Sequence, residues 1–254
     1  AVGAADRRRI SKGIGNTVVL FAAFAVVLTT VLLLNIKGIL GLLAVPAEAL
    51  AETADYVAAC FAGIVFITAY NVLSSIYRGL GDSRHPMYFV MISGILNIGL
   101  DYVLIGPMGL GAFGAAFATV FSQAVSVVLA AVFLRKSADV SVSRSDLMPD
   151  REILSRLLAV GAPVALQDGL IQISFLIITR IANGRGLEIA AAVGIVEKII
   201  SFLFLVPSAM LSSVSAVCAQ NLGAGEEARS RKTLLLATLM SVGAGVVFFI
   251  ICQI

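Results

Sequence analysis

The chain has 254 residues, of which 59% are hydrophobic and only 13% are charged, and its formal net charge is +3. Soluble globular domains carry roughly 25% charged residues and at most about 50% apolar residues. A soluble domain of this size buries only about three quarters of its chain surface and could not cover so much apolar side chain. The composition excludes a soluble enzyme, a disordered tail and a nucleic-acid-binding module, and it indicates an integral membrane protein.

Long runs without charge predict seven transmembrane helices. A membrane-spanning helix needs about 20 apolar residues, and the runs lack the apolar–polar alternation of membrane β-strands, so the predicted fold class is all-α. The longest run is broken at 106–109 by a Gly-Pro-Met-Gly turn, which predicts a helical hairpin there. The predicted helices are 14–34, 55–77, 86–106, 110–134, 153–182, 187–217 and 233–254.

Lysine and arginine residues collect on one side of these helices, and the opposite side has only Lys37, Arg180 and Arg185. The positive-inside rule makes the basic side cytoplasmic. The start of the chain and the loop 136–152 are therefore predicted to be cytoplasmic, in a multi-pass protein of the inner (plasma) membrane. The same rule accounts for the net charge without a nucleic-acid partner.

A short motif occurs twice. Val2-Gly3-Ala4-Ala5-Asp6 is followed at an offset of 220 residues by Leu222-Gly223-Ala224-Gly225-Glu226, and each copy runs through basic residues into a charge-free helix. Any cytoplasmic helix start favours acids followed by bases, which is a simpler explanation. The Gly-Ala pair in matching register favours a true repeat. Six helices separate the copies, so both cross in one direction, as parallel repeats do.

The repeat predicts a larger architecture, a twelve-helix protein built from two parallel six-helix repeats. Residues 1–135 would be helices three to six of the first lobe, 136–152 the cytoplasmic linker, and 153–254 helices seven to nine of the second lobe. On this interpretation the chain is an internal section, with two helices before Ala1 and three after Ile254.

Polar residues inside the predicted helices are candidates for function, since an ionisable side chain is costly there. Asp101 and Asn97 are one turn apart on one helix face. The hairpin returns with Thr119 and Gln123 on its second helix. Carboxylate, amide and hydroxyl oxygens suit Na⁺, and a buried carboxylate can instead take a proton. The alternative is a purely structural hydrogen bond between the two helices; for Asp101 we favour ion coupling.

Other intramembrane polar residues give weaker signals. Asp168 lies beside Gln167 and follows Pro163, so it either lines a cavity or caps a break that Pro163 makes in its helix. Glu197 and Lys198 are neighbours in sequence and point to different sides of their helix. The scattered cysteines suit neither a disulfide framework nor a metal site.

Several motifs, taken together and in order, resemble the multidrug and toxic compound extrusion (MATE) family of secondary transporters, and most closely its DNA-damage-inducible branch. The resemblance covers nearly the whole chain. The matching pieces are Arg78-Gly79-Leu80-Gly81-Asp82 with Pro86, Asn97 with Asp101, Gly111 to Thr119, Pro163 with Leu166-Gln167, Ala190 to Gly194, Pro207, and Gln220 to Gly225.

The resemblance implies two six-helix lobes and export by alternating access, driven by Na⁺ or H⁺, without a catalytic residue or an enzyme cofactor. It places Asn97, Asp101 and Thr119 in a cation site of the first lobe, and Asn71 is the candidate for an amide on the fourth helix. No metal other than Na⁺ at Asp101 is expected. Gln123, Gln167 and Asp168 are the candidates for lining a substrate cavity.

The expected substrates are small-molecule drugs or toxic organic cations, exported by a monomer embedded in the lipid bilayer. The alternative of the same architecture is a flippase for a lipid-linked saccharide. A pyrophosphate headgroup would need several buried cations, and only Lys198 is securely inside the predicted helices. The exporter is therefore the favoured prediction.

Overall fold

The structure is a computed structural model that describes residues 2–42, 50–137, 143–183, 185–251 and 253. Part of the predicted linker, 138–142, and the last residue of the predicted final helix, 254, lie outside the described residues. Every regular element in the described part is helical. The helices are α1 (Arg7–Leu34), α2 (Ile36–Leu42), α3 (Leu50–Gly79), α4 (Arg84–Ile105), α5 (Gly111–Ser137), α6 (Arg151–Asn183), α7 (Leu187–Gly223) and α8 (Glu227–Ile251), with a 3₁₀ turn at Arg144–Leu147.

The seven predicted membrane spans are confirmed, because seven of these helices are long and apolar enough to cross a bilayer. Some predicted bounds were wrong: α1, α3 and α8 begin earlier, at Arg7, Leu50 and Glu227, and α7 ends later, at Gly223. A charge-free run marks the part of a helix that lies in lipid, whereas the helix itself continues into water through its charged first turns. The short α2 was not predicted.

Of the two interpretations left open for Asp168, the one that needs a helix break at Pro163 is wrong. Helix α6 is continuous through this residue, and α7 is likewise continuous through Pro207. A proline inside a helix removes one backbone hydrogen bond, but membrane helices tolerate it where neighbouring groups satisfy the freed carbonyl. Asp168 therefore does not cap an interrupted helix.

The first compact unit, Arg7–Asp150, is held together by close packing on α5. Ala116 and Ala118 of α5 are fully buried. A β-carbon at Gly63 of α3 would lie 2.3 Å from Val120 of α5, and one at Gly114 would lie 3.2 Å from Leu104 of α4. Small residues thus let three helix backbones approach one another, as is typical of membrane helix interfaces. The predicted hairpin is present as α4 and α5.

The basic end of this unit, where α3 and α5 finish and α4 begins, holds its aromatic core. Tyr77 is 2% exposed, and its hydroxyl donates to the carbonyl of Ala130 at 2.9 Å. The Tyr70 hydroxyl donates to the carbonyl of Pro86 at 2.8 Å. Phe89 packs against Tyr77. Each buried hydroxyl is therefore satisfied while its ring fills the space between helices.

Asn16 of α1 binds the segment 146–150, which precedes α6, through hydrogen bonds to its backbone. The side chain is completely buried. Its amide nitrogen donates to the carbonyls of Asp146 and Met148, and its oxygen accepts from the Asp150 backbone N–H at 2.7 Å. Lys12 pairs with the Asp150 carboxylate at 3.6 Å. The described part of the predicted linker, from Ser143 onwards, is thus docked on α1.

The second compact unit contains residues 1–6 and Arg151–Ile254, in which α7 packs on α6 and α8. Here the two copies of the repeated motif touch. A β-carbon at Gly3 would lie 1.9 Å from the Gln220 carbonyl oxygen, and one at Gly223 would lie 3.2 Å from the Gly3 Cα. Gly3 and Gly223 occupy equivalent positions of the repeat. The two copies of the motif therefore pack against each other within this unit, and the parallel repeat stays a prediction.

We expect Gly15→Ala to loosen the docked segment. The added methyl group would lie 2.2 Å from the Asp146 carbonyl oxygen, and overpacking of this kind costs about 1–3 kcal/mol. The checks are thermal unfolding in detergent and the rate of tryptic cleavage at Arg144, which should rise. Gly13→Ala is the matched control, because a methyl group there meets nothing within 4 Å. Equal cleavage of the two variants would contradict the docking.

We expect Asp82→Ala to destabilise the start of α4. The Asp82 carboxylate accepts from the backbone N–H groups of Arg84 and His85 at 3.0 and 3.2 Å and contacts the His85 ring. Loss of such a cap costs about 1 kcal/mol. Thermal unfolding near neutral pH measures the loss.

The stabilisation by Asp82 should also depend on pH. Burial by itself raises the pKa of Asp82, but the hydrogen bonds from His85 and Arg84 outweigh it, so the pKa lies below the ordinary value of 3.8. A lowered pKa gives stability that is present above the unfolded value and is lost as the pH falls through the folded one. The difference between the native chain and Asp82→Ala should therefore narrow only in acid, below pH 3.8. Narrowing that is already complete at about pH 6, where histidine titrates, would contradict this assignment.

Candidate functional site

The α4–α5 hairpin brings together two of the predicted site residues. Asn97 of α4 donates from its side-chain nitrogen to the Thr119 hydroxyl of α5 at 3.4 Å, and the Thr119 hydroxyl donates to the carbonyl of Ala115 at 3.0 Å. The contact follows from the short turn at 106–110, which sets the two helices side by side in antiparallel directions. One amide and one hydroxyl thus share a position between the helices.

Asp101 lies one turn beyond Asn97 on α4, and its Oδ1 atom is buried without a hydrogen-bond partner among the described residues. Buried polar atoms are nearly always paired, and an unpaired carboxylate oxygen away from water is costly. A bound proton or a small cation would relieve that cost. Asp101 is therefore the residue of this group that most needs a ligand.

The outer end of α3 adds a neighbour to Asp101 that the sequence analysis missed. Tyr56 interacts electrostatically with Asp101. The spacing of residues along α3 could not show this interaction, because it depends on how α3 is rotated relative to α4.

A polar cavity of about 140 Å³ extends between α4 and α5 from Asn97 and Thr119. Gln123 lines it, together with Ser93, Ser122 and Ser126; the apolar part of the lining is Val90 and Gly94. The Ser126 hydroxyl donates to the carbonyl of Phe89. The Ser122 hydroxyl is buried and has no partner among the described residues. This interior can therefore offer hydrogen bonds to a small polar guest.

The other predicted residues lie apart from this group. Asn71 is exposed on α3, and its side chain donates to the carbonyl of Ile67 in its own helix at 3.0 Å. Gln167 and Asp168 are exposed on α6, in the second compact unit. Groups of three or more metal-ligating side chains are absent from the part of the chain that the structure describes. The structure thus assembles Asn97, Thr119 and Gln123, with Asp101 one turn away.

Seven helices of the described part of the chain are long and apolar enough to span a membrane, which defines a multi-pass α-helical membrane protein. The sequence model of the MatE family matches residues 1–103 and 163–254. The chain belongs to the MatE family, whose members are transporters and not enzymes. The resemblance found in the sequence motifs is thereby confirmed.

Individual relatives agree with this assignment. The chain is 29% identical to YoeA of Bacillus subtilis, a probable multidrug resistance protein, over all of the chain and 57% of that protein. It is 29% identical to the multidrug export protein MepA of Staphylococcus saprophyticus, over 84% of the chain and 46% of that protein. The chain thus spans about half the length of the curated relatives it matches.

Solved structures show the same fold. An outward-facing multidrug resistance MATE family transporter of the MOP superfamily superposes with a TM-score of 0.82 at 25% identity, over 98% of this chain and 59% of that one. The MATE transporter VcmN of Vibrio cholerae superposes with a TM-score of 0.83 at 23% identity, over 98% of this chain and 60% of that one. The predicted all-α membrane fold is confirmed.

Proposed function

We propose that the chain belongs to a secondary active exporter of amphiphilic, cationic organic compounds that works by antiport against Na⁺ or H⁺. The observation that carries the proposal is the buried and unpaired Oδ1 of Asp101, next to the Asn97–Thr119 contact. The relatives YoeA, a probable multidrug resistance protein, and MepA, a multidrug export protein, support the export of drugs.

The coupling ion is taken up at Asp101. The side chains of Asp101, Asn97 and Thr119 offer only oxygen atoms as cation ligands, and such hard ligands suit hard cations. A proton on the carboxyl group would neutralise the same buried charge. Either event removes the cost of an ionised group in low dielectric.

Neutralisation of Asp101 can drive a conformational change. A ligand shifts an equilibrium between two states only by the difference in its affinity for them. A carboxylate that is dry in one state and open to water in the other has such a difference. Alternating access then follows from the exchange of the ion for the substrate.

Substrate binding would draw on the remaining polar candidates. Gln123 lines the cavity of the first unit, and Gln167 and Asp168 lie exposed on α6 of the second. A carboxylate such as Asp168 attracts an organic cation, and the apolar helix faces bind its hydrophobic part. Anionic lipid-linked saccharides would need several cations instead, so the exporter is preferred over the flippase.

The complete transporter on this proposal has twelve helices in two parallel lobes and acts as a monomer in the inner membrane. The chain spans about half the length of its curated relatives, and the family model matches it on both sides of the predicted linker. The contact between Gly3 and Gly223 supports the repeat. The basic ends of the helices face the cytoplasm by the positive-inside rule.

Asp101→Asn in the complete transporter should abolish ion-driven efflux, because the amide cannot take up a proton and binds a cation weakly. Dye efflux from membrane vesicles, driven by an imposed Na⁺ or H⁺ gradient, measures it. Thermal unfolding in detergent should change little. Asp55→Asn is the matched control, since Asp55 is an exposed carboxylate near the start of α3. Normal gradient-driven efflux by the Asp101 variant would refute the coupling role.

Thr119→Val should weaken the binding of the coupling ion without abolishing transport. The variant keeps the side-chain shape but removes the hydroxyl next to Asn97. Loss of one hydrogen bond between neutral groups costs about 0.5–1.5 kcal/mol, so the ion concentration for half-maximal efflux should rise by about two- to tenfold. Thr119→Ser should restore the native value, and an unchanged ion dependence in Thr119→Val would remove Thr119 from the site.

A further inference from the structure

A second polar contact inside the membrane joins α6 to α7. The Thr179 hydroxyl oxygen lies 2.7 Å from the Oε1 atom of Glu197. Both side chains are partly buried, and both helices are membrane spans. Glu197 is ten residues into α7, which is about 15 Å along the helix axis. A carboxyl group at such a depth, paired with a single neutral hydroxyl, is a candidate for function in its own right.

Which group donates the hydrogen bond between Thr179 and Glu197 depends on whether Glu197 carries a proton. The Thr179 hydroxyl also lies 3.0 Å from the carbonyl oxygen of Phe175. A hydroxyl has one hydrogen, so it can donate either to Phe175 or to an ionised Glu197. When Glu197 carries a proton, the carboxyl O–H donates to the Thr179 oxygen while Thr179 donates to Phe175. Only the protonated acid satisfies both short contacts at once.

In the part of the chain that the structure describes, the Glu197 carboxylate forms no ion pair with the charged groups on α6 and α7. Lys198 is the next residue of α7 and is exposed; on α6, Arg180 and Asp168 are exposed as well. In α8, residues 233–251 contain no titratable group. Cys218 lies far along α7 and contacts Ser230. Among the described residues, the Glu197 carboxyl group therefore contacts the Thr179 hydroxyl and forms no ion pair.

We propose that Glu197 is a second proton-binding site of the transporter, with Thr179 as its positioning residue. In this site a proton from water adds to the Glu197 carboxylate and forms its O–H bond, and the Thr179 hydroxyl turns from Glu197 to the Phe175 carbonyl. Release of the proton reverses the turn. The site is separate from Asp101 in sequence and lies in the other compact unit. Its part in transport rests on the proposed antiport, whereas its protonation does not.

The first test is infrared spectroscopy of the complete transporter in lipid vesicles over a range of pH. The native protein should show the carbonyl band of a protonated carboxyl group that disappears at high pH. Glu197→Gln should lack that component, and Glu227→Gln, which alters an exposed carboxylate at the start of α8, should keep it. Thr179→Val should shift the band, and Thr179→Ser should return it. Identical spectra for the native protein and Glu197→Gln would overturn the proposal.

The second test is the pH profile of dye efflux. Glu197→Gln holds the site in a neutral form of nearly the same shape, so the pH dependence of efflux in the range of the infrared band should be lost. An unchanged pH profile would overturn the role in transport. If ion-driven efflux is absent from the native transporter, the proposed function fails, and the infrared result still decides whether Glu197 binds a proton.

Discussion

The cost of a polar atom without a partner, in surroundings without water, is the constraint on which this structure depends. The buried hydroxyl groups of Tyr70 and Tyr77 donate to backbone carbonyls, and Asn16 is fully buried because backbone groups satisfy its amide. Because these hydrogen bonds run between different helices or segments, the same contacts that satisfy the polar groups also hold the helices together. Against this background Asp101 and Ser122 differ, because their buried oxygens have no hydrogen-bond partner among the described residues.

Most of the fold could be predicted from the sequence because membrane helices are defined by local composition. A run of about twenty apolar residues between charges is enough to predict a membrane-spanning helix. The tight turn at 106–110 shows which two helices are neighbours. The sequence could not show that the segment from Ser143 docks on α1, because the docking depends on Asn16 and a missing side chain at Gly15, both more than a hundred residues away. The break at Pro163, one of two interpretations considered, is absent because α6 runs through the proline without interruption.

The candidate site was predictable to the same extent. Asn97 and Thr119 meet because hairpin geometry follows from the turn, and the position of Asp101 follows from helix periodicity. Tyr56 was missed because nothing local shows which face of α3 points at α4. Glu197 was considered with its neighbour Lys198, yet its partner is Thr179, across the α6–α7 pair. The site residues that escaped prediction are those whose partners are set by helix rotation and crossing rather than by spacing.

The meeting of Gly3 with Gly223 has a consequence for the origin of the protein. An interface in which a residue contacts its own counterpart is isologous, the kind formed by two identical subunits around a two-fold axis. A tandem duplication that fuses such subunits keeps this contact inside one chain. The residue at each of these two positions must then lack a side chain, since a β-carbon at Gly3 would collide with the Gln220 carbonyl. A self-complementary surface of this kind is what the proposed repeat would carry at Gly3 and Gly223.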